Sequence, residues 1–198
     1  MAVVLAAFIA SPASAAIIFQ DNFNRANSDT VGNGWVELED DSNDVRVKNS
    51  TLRLRDTLSG EPDAAASQLG GLSSLGIFNI TLSYDWARLN DESENSDKLH
   101  VEWKLTTDSS WNNLATHSLG GGSSLKSETV SLGSGAENVN NLQIRFWTDV
   151  STSKEGAKID NVVLSGNYVY VAVPEPGTLV LFGLGILGIG YLGWRRRG

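Results

Sequence analysis

Short segments of alternating apolar and polar residues constrain the fold of this chain more than any other feature. Segments 80–86, 99–105 and 142–146 each place Leu, Ile, Val or an aromatic residue at every second position. In a β-strand this period of two puts all the apolar side chains on one face. A strand with one apolar and one polar face is typical of an antiparallel sheet that packs on a core by one side.

The segments between these strands are rich in Gly, Asn, Asp and Ser, which favour tight turns. Clear examples are residues 31–34, 90–97, 120–123 and 133–135. No sustained helical period precedes the C-terminal tail, and the chain contains no cysteine to form a disulfide. We therefore predict an all-β fold, an antiparallel two-sheet sandwich of the jelly-roll type, whose stability comes from core packing.

The N-terminus has the features of an export signal. An apolar run at residues 3–9 precedes Ala13-Ser14-Ala15, which places small residues where a signal peptidase cuts. The run is too short to span a bilayer. Residues 1–15 are therefore predicted to be a signal peptide, followed by a sandwich domain at 16–172.

The C-terminal segment 173–198 combines three features in a fixed order. Pro174, Glu175 and Pro176 are followed by an apolar stretch at 179–194 and then by a cationic end, formed by Arg195, Arg196 and Arg197. The two prolines hold the backbone extended. The apolar stretch is close to the shortest length for a transmembrane helix, and the arginines predict its cytoplasmic end.

This order closely resembles the PEP-CTERM sorting signal. The resemblance implies recognition of Pro174, Glu175 and Pro176 by exosortase, a membrane-embedded transpeptidase that processes such tails. It also implies an exported protein, anchored by the helix before processing and then placed at the cell surface or in the extracellular matrix. A permanent membrane anchor without processing is the alternative. Proteins with this tail are linked to extracellular polysaccharide and biofilm.

A second resemblance concerns the sandwich itself. Residues 19–28 and 32–35 are similar to the opening strand of concanavalin A-like domains. The closing half of MAM-like and laminin-G-like sandwiches, whose last strand returns beside the first, resembles residues 98–105, 111–114, 142–147 and 157–166. Such domains often bind calcium where these two strands meet, which implies Asp21 and Asp160 as cation ligands. The alternative is that Asp160 belongs to a β-bulge and that Asp21 is solvated.

The charge distribution excludes some partners. Without the leader and tail, the chain has 12 basic residues (15 less the three C-terminal arginines) and 22 acidic ones (23 less Glu175), a net charge of −10. A domain with this charge is not expected to bind nucleic acid or an anionic membrane surface through its overall field. The acidic run 37–44 lacks the spacing of a calcium-binding loop and is predicted to be a solvated loop.

Carbohydrate binding is the most plausible activity of the domain. Binding surfaces for sugars use exposed aromatic rings flanked by polar groups. If Phe146 points inward, its neighbour Trp147 points outward together with Arg145, and these two are the candidate ligand-binding residues. Other candidates, if their strands share that face, are Asp85, His100 and Glu102. Four tryptophans are predicted to lie in the core: Trp35, Trp86, Trp103 and Trp111.

No arrangement in the sequence predicts an enzyme. Retaining glycosidases need two carboxylates on one face, and the Glu-x-Asp-x-x-Glu strand of laminarinase-like jelly rolls is absent. Only Glu102 and Asp85, on neighbouring alternating segments, are conceivable as such a pair. Two alternatives to a binding or adhesion module therefore remain, a structural coat or biofilm protein without a small ligand and, less favoured, a glycoside hydrolase.

Overall fold

The alternating segments form β-strands in two antiparallel sheets. The computed structural model describes residues 15–38, 43–55, 65–89, 94–152 and 155–168, with the backbone alone at 67–70. Residues 1–14 of the predicted leader, the sorting motif and the predicted helix 179–194 lie outside these ranges. Within them, no helix is both long enough and apolar enough to cross a membrane.

Eleven strands and one short 3-10 turn make up the described structure. The strands are β1 (Ala15–Asp21), β2 (Trp35–Leu38), β3 (Val45–Val47), β4 (Leu52–Arg55), β5 (Ala65–Leu72), β6 (Ile77–Arg88), β7 (Lys98–Leu105), β8 (Asn112–Ser118), β9 (Lys126–Ser131), β10 (Leu142–Asp149) and β11 (Gly156–Tyr168). The 3-10 turn is Ser134–Ala136.

The strands pair in two separate sheets. A six-stranded sheet has the order β3-β4-β11-β6-β9, and β1 pairs with β11 as well. A five-stranded sheet has the order β2-β5-β10-β7-β8. Every strand pair is antiparallel. The predicted all-β, two-sheet antiparallel sandwich is therefore confirmed.

The core lies between the inward faces of the two sheets. In β6 the alternate residues Ile80, Leu82, Tyr84 and Trp86 are buried, as the sequence period predicts. From the other sheet, β7 and β10 contribute Leu99, Val101, Trp103, Leu142, Ile144 and Phe146. Trp35 packs against Phe146 with ring centroids 6.1 Å apart. The predicted core positions of Trp35, Trp86 and Trp103 are confirmed.

The register of the five-stranded sheet brings specific residues side by side on its outer face. One row across the strands contains Leu38, Ala65, Trp147, His100 and Thr116. The next row contains Val36, position 67, Arg145, Glu102 and Asn113. Directly paired residues in antiparallel strands project to the same side of the sheet. The two rows therefore form the middle of the outer surface.

Candidate functional site

Trp147 and His100 form a stacked pair at the centre of this outer surface. Their rings are 4.1 Å apart at an interplanar angle of 11°. Phe146 is fully buried while Trp147 is half-buried, so Trp147 points outward, as the alternation of the strand predicts. The indole Nε1 and the imidazole Nε2 are buried and have no hydrogen-bond partner in the part of the chain that the structure describes.

Arg145 connects this pair to a second tryptophan. Its Nε donates to Glu102 Oε2 at 2.6 Å, and its guanidinium lies 5.5 Å from the Trp147 ring and 4.3 Å from the Trp111 ring. The ammonium of Lys104 lies 4.8 Å from the same Trp111 ring. We call the group Trp147, His100, Arg145, Glu102 and Trp111 the aromatic face.

The structure corrects two expectations about this surface. Trp111 does not belong to the core: it is half-buried and lies under Arg145 and Lys104. Trp111 precedes β8 in a turn-rich segment in which apolar and polar residues do not alternate. The absence of alternation is the feature of the sequence that indicates a tryptophan at the surface. Asp85 does not share the face, because its strand β6 belongs to the other sheet.

The position of Asp85 also separates it from Glu102. Asp85 alternates with buried residues of β6 and faces outward from the six-stranded sheet, where Ser127 donates to it at 2.5 Å. Glu102 faces outward from the five-stranded sheet. The two carboxylates lie on opposite sides of the sandwich and cannot converge in one cleft. The conceivable glycosidase pair of Glu102 and Asp85 is therefore wrong.

Burial and nearby charges set the protonation of His100. Burial lowers the pKa of His100 below its ordinary value, and Arg145 and Lys98 act in the same direction. Glu102 and Asp149 oppose this shift without overcoming it. His100 is consequently a neutral ring at neutral pH, with Nδ1 placed 3.3 Å from the hydroxyl of Thr116.

Asp21 lies at the end of β1, where donors from the protein surround its carboxylate. Arg25 donates to both oxygens at 2.7 and 3.0 Å, and the amide of Phe23 and Nε1 of Trp35 donate at 2.8 and 2.9 Å. Burial would raise the pKa of Asp21, but these donors, Arg25 foremost, hold it below its ordinary value. Asp21 is 5% exposed, so its alternative assignment as a solvated residue is wrong.

Asp160 lies at an irregularity of β11. Its Oδ1 accepts from the amide of Asn161 at 2.7 Å, and the register with β6 shifts directly after it. Asn161 has a φ of 49°, and its side chain donates to Asp85 at 2.8 Å. Burial raises the pKa of Asp160, and the nearby charges of Asp85 and Asp21 raise it further. This matches the alternative in which Asp160 belongs to a β-bulge.

These contacts do not fit a calcium site at Asp21 and Asp160. Calcium takes six to eight oxygen ligands, whereas both oxygens of Asp21 already accept from a guanidinium. The polar cavity beside Asp21, about 430 Å³ in volume, is also lined by Arg25. Within the described ranges, no group of three His, Cys, Asp or Glu residues could hold a metal. Calcium binding stays a prediction that the geometry does not favour.

Comparison with known proteins adds two findings. Residues 172–197 match the PEP-CTERM protein-sorting motif, which confirms the resemblance seen in the C-terminal tail. No match is found among curated protein sequences.

Several solved structures share the fold of the sandwich. The K3 adhesin domain of Lys-gingipain from Porphyromonas gingivalis has a TM-score of 0.53 at 16% identity, covering 77% of this chain and 99% of that one. A carbohydrate-binding module described as recognising mannan has a TM-score of 0.51 at 14% identity, covering 77% and 98%. A family 29 carbohydrate-binding module has a TM-score of 0.50 at 14% identity, covering 78% and 90%. At these identities the similarity establishes the architecture alone.

Proposed function

We propose that this chain is an exported, exosortase-sorted surface protein whose sandwich binds polysaccharide through the aromatic face. The observation that carries the proposal is the stacked Trp147–His100 pair, held beside Arg145 in the middle of an outer sheet surface. The carbohydrate-binding modules among the similar structures support the same conclusion, because their architecture is compatible with it.

The chemistry of the aromatic face suits a sugar chain. Sugar rings present C–H groups that pack on aromatic rings, while their hydroxyls need donors and acceptors at the edge of that contact. Trp147 and Trp111 supply rings, and Arg145 and Glu102 supply charged hydrogen-bonding groups between them.

The internal charge balance of the face favours a neutral glycan. Arg145 is 22% exposed in its side chain and Glu102 is 11% exposed, and each neutralises the other at 2.6 Å. An anionic sugar would have to compete with Glu102 for Arg145. We therefore expect neutral polysaccharides to bind better at this face than acidic ones, and we choose β-mannan and β-glucan as first probes.

The PEP-CTERM motif supports the other half of the proposal. A tail with this motif at 172–197 implies export, a membrane-anchored stage through the apolar segment 179–194, and processing by exosortase near Pro174-Glu175-Pro176. The mature sandwich then resides at the cell surface or in the matrix, where polysaccharide is available. The proposed location of the protein is therefore consistent with the proposed polysaccharide ligand.

Affinity electrophoresis of the purified full-length chain in gels containing β-mannan or β-glucan tests the binding proposal. Trp147→Ala is expected to weaken binding by roughly 30-fold, as for a central aromatic anchor worth about 2 kcal/mol. Tyr168→Ala is the matched control, because it removes another exposed aromatic ring from the opposite sheet. Equal retention of Trp147→Ala and the unsubstituted chain would overturn the proposal, as would equal loss in both variants.

Sorting is tested in a host that contains exosortase. A triple substitution, Pro174→Ala, Glu175→Ala and Pro176→Ala, is expected to leave the full-length chain in the membrane fraction. The unsubstituted chain is expected to lose the tail, which mass spectrometry of the surface fraction detects. An intact tail on surface protein from that host would refute processing while leaving the binding proposal untouched.

A further inference from the structure

The outer face of the six-stranded sheet has a cluster of basic residues on three neighbouring strands. Arg46 of β3 lies directly opposite Arg53 of β4, and Arg53 lies directly opposite Lys158 of β11. Arg55 follows two positions after Arg53 on the same face, because Leu52 and Leu54 of β4 point into the core. We call Arg46, Arg53, Arg55 and Lys158 the basic strip.

Among the residues that the structure describes, carboxylates do not balance these charges. Arg46 lies 3.8 Å from Asp29, a carboxylate that is 63% exposed, and this is the closest ion pair of the strip within the described ranges. No described carboxylate forms an ion pair with Arg53 or Arg55. The Nε atoms of Arg46, Arg53 and Arg55 are buried without a hydrogen-bond partner among the residues of known placement.

The adjacent cations of the basic strip are expected to destabilise the fold, and they are unusual in a domain whose net charge is negative. Like charges directly opposite one another in an antiparallel pair are destabilising. Burial, together with the charges of Arg46 and Arg55, lowers the pKa of Arg53. A domain with a net charge of −10 has ample carboxylates to neutralise such residues, yet the strip concentrates four of its 12 basic side chains. An anion bound over the strip would offset the repulsion between these cations.

The surface continues beyond the strip toward Lys48. Arg46 and Lys48 line a cavity of about 260 Å³ together with Asn27, Ser28 and Asp29. Neighbouring strands lie about 4.8 Å apart and alternate residues of one strand about 7 Å apart. The cations are therefore distributed over a length of several sugar rings, so they suit a chain with repeated anionic groups rather than a single small anion.

We propose that the basic strip binds an acidic polysaccharide, one that carries carboxylate or sulfate groups. Guanidinium groups recognise both through paired, charge-assisted hydrogen bonds. Both polyanions are repelled by the net negative charge of the domain. Duplex DNA fits less well because it carries one charge per about 1.7 Å of its axis, so its repulsion exceeds that of a polysaccharide with one anionic group per sugar ring. The strip lies on the sheet opposite the aromatic face, so this inference stands without the proposed function. Together the two faces would bridge an acidic and a neutral polymer.

The test measures binding of the full-length chain to polygalacturonate, dextran sulfate, neutral dextran and duplex DNA by affinity electrophoresis at low and high salt. The two acidic glycans distinguish carboxylate from sulfate recognition. We expect retention by at least one acidic glycan, loss of that retention at high salt, and none by neutral dextran. Arg53→Gln should weaken the retention about tenfold, the effect of one lost charge-assisted hydrogen bond.

Matched variants locate the site. Lys126→Gln removes one positive charge from β9 and should bind as the unsubstituted chain does, which excludes a mere change in net charge. Trp147→Ala should also retain acidic glycan, so failure of the aromatic-face proposal is recognised separately. Thermal unfolding of Arg53→Gln confirms the fold. Unchanged binding in Arg53→Gln, loss in Trp147→Ala or Lys126→Gln, or equal retention by DNA would each overturn the proposal.

Discussion

On both outer faces of the sandwich an arginine is paired directly with residues of neighbouring antiparallel strands, but the charges of its neighbours are opposite on the two faces. On the five-stranded sheet, Arg145 lies opposite Glu102 and the two form a 2.6 Å ion pair. On the six-stranded sheet, Arg53 lies opposite Arg46 and Lys158, and cations face cations. Cross-strand neighbours interact strongly in either case. The comparison predicts that Arg145 stabilises its face while Arg53 destabilises its own.

This difference separates two kinds of surface. The aromatic face has internal partners that hold its charged groups in place before a ligand arrives, a condition that lowers the cost of binding. The basic strip has one ion pair, Arg46 with Asp29, among the described residues, and we propose that an anion from outside supplies the rest of its stabilisation. Substitutions on each face should therefore change stability in opposite directions, which is a direct test of the comparison.

The largest effect is expected for Arg145→Met on the aromatic face. Methionine keeps part of the side-chain volume but leaves the carboxylate of Glu102, whose side chain is 11% exposed, without its cation. A nearly buried charge without a partner is costly, and we expect the free energy of unfolding to fall by about 2 kcal/mol. Urea unfolding of the full-length chain measures this change.

A double-mutant cycle tests whether the ion pair is the cause. Glu102→Gln alone should cost less, because the Arg145 side chain is more exposed than that of Glu102. The combined variant should recover about 1 kcal/mol relative to the sum of the single changes. Strict additivity would show that Arg145 acts only through packing on Trp111, and the comparison between the faces would then lose its electrostatic basis.

Sequence alone predicted the sandwich because a period of two is a local property of each strand. The inward positions of Leu142, Ile144 and Phe146 followed from it, and with them the outward direction of Trp147. Which strands share a sheet is a long-range property that alternation does not encode. For this reason, the sequence could not determine that Asp85 lies on the opposite sheet from Glu102.

The partners of Asp21 and Asp160 are likewise not predictable from the sequence. Asp21 and Asp160 were paired by resemblance to calcium-binding sandwiches. No pattern in the sequence indicates that Arg25, four residues after Asp21, donates to both of its carboxylate oxygens. The partners of a carboxylate depend on loop conformation, here a φ of 49° at Phe23. The resemblance indicates that the carboxylate of Asp21 binds a cation, but it does not indicate that the cation is the guanidinium of Arg25.

A smaller effect of opposite sign is expected for Arg53→Gln. Removing the central cation relieves its repulsion with Arg46 and Lys158, so the free energy of unfolding should rise by about 0.5 kcal/mol at low salt. The gain should shrink as salt screens the exposed parts of these charges. Lys126→Gln serves as the control for net charge, and it should show no such gain. A loss of stability in Arg53→Gln would mean that the arginine contributes packing that outweighs the repulsion.

The smallest effect concerns the pH dependence of the aromatic face. Because burial lowers the pKa of His100 in the folded state, the unfolded chain binds more protons as the pH falls below the ordinary histidine pKa of 6.5. The fold should therefore lose stability as the pH falls through that range and keep it above. His100→Phe preserves a ring beside Trp147 and should reduce the slope of melting temperature against pH.

Part of this slope should remain in His100→Phe, because His117 also has a pKa lowered by burial, where it stacks on Trp86 at 4.1 Å. His117→Phe is the matched variant, since it removes the titration of the partly buried ring beside Trp86 and leaves the aromatic face intact. If His100→Phe kept the full slope, the stacked imidazole would be protonating as freely as in the unfolded chain. The burial of the Trp147–His100 pair would then be too weak to preorganise the aromatic face. The aromatic face and the basic strip would no longer differ in preorganisation.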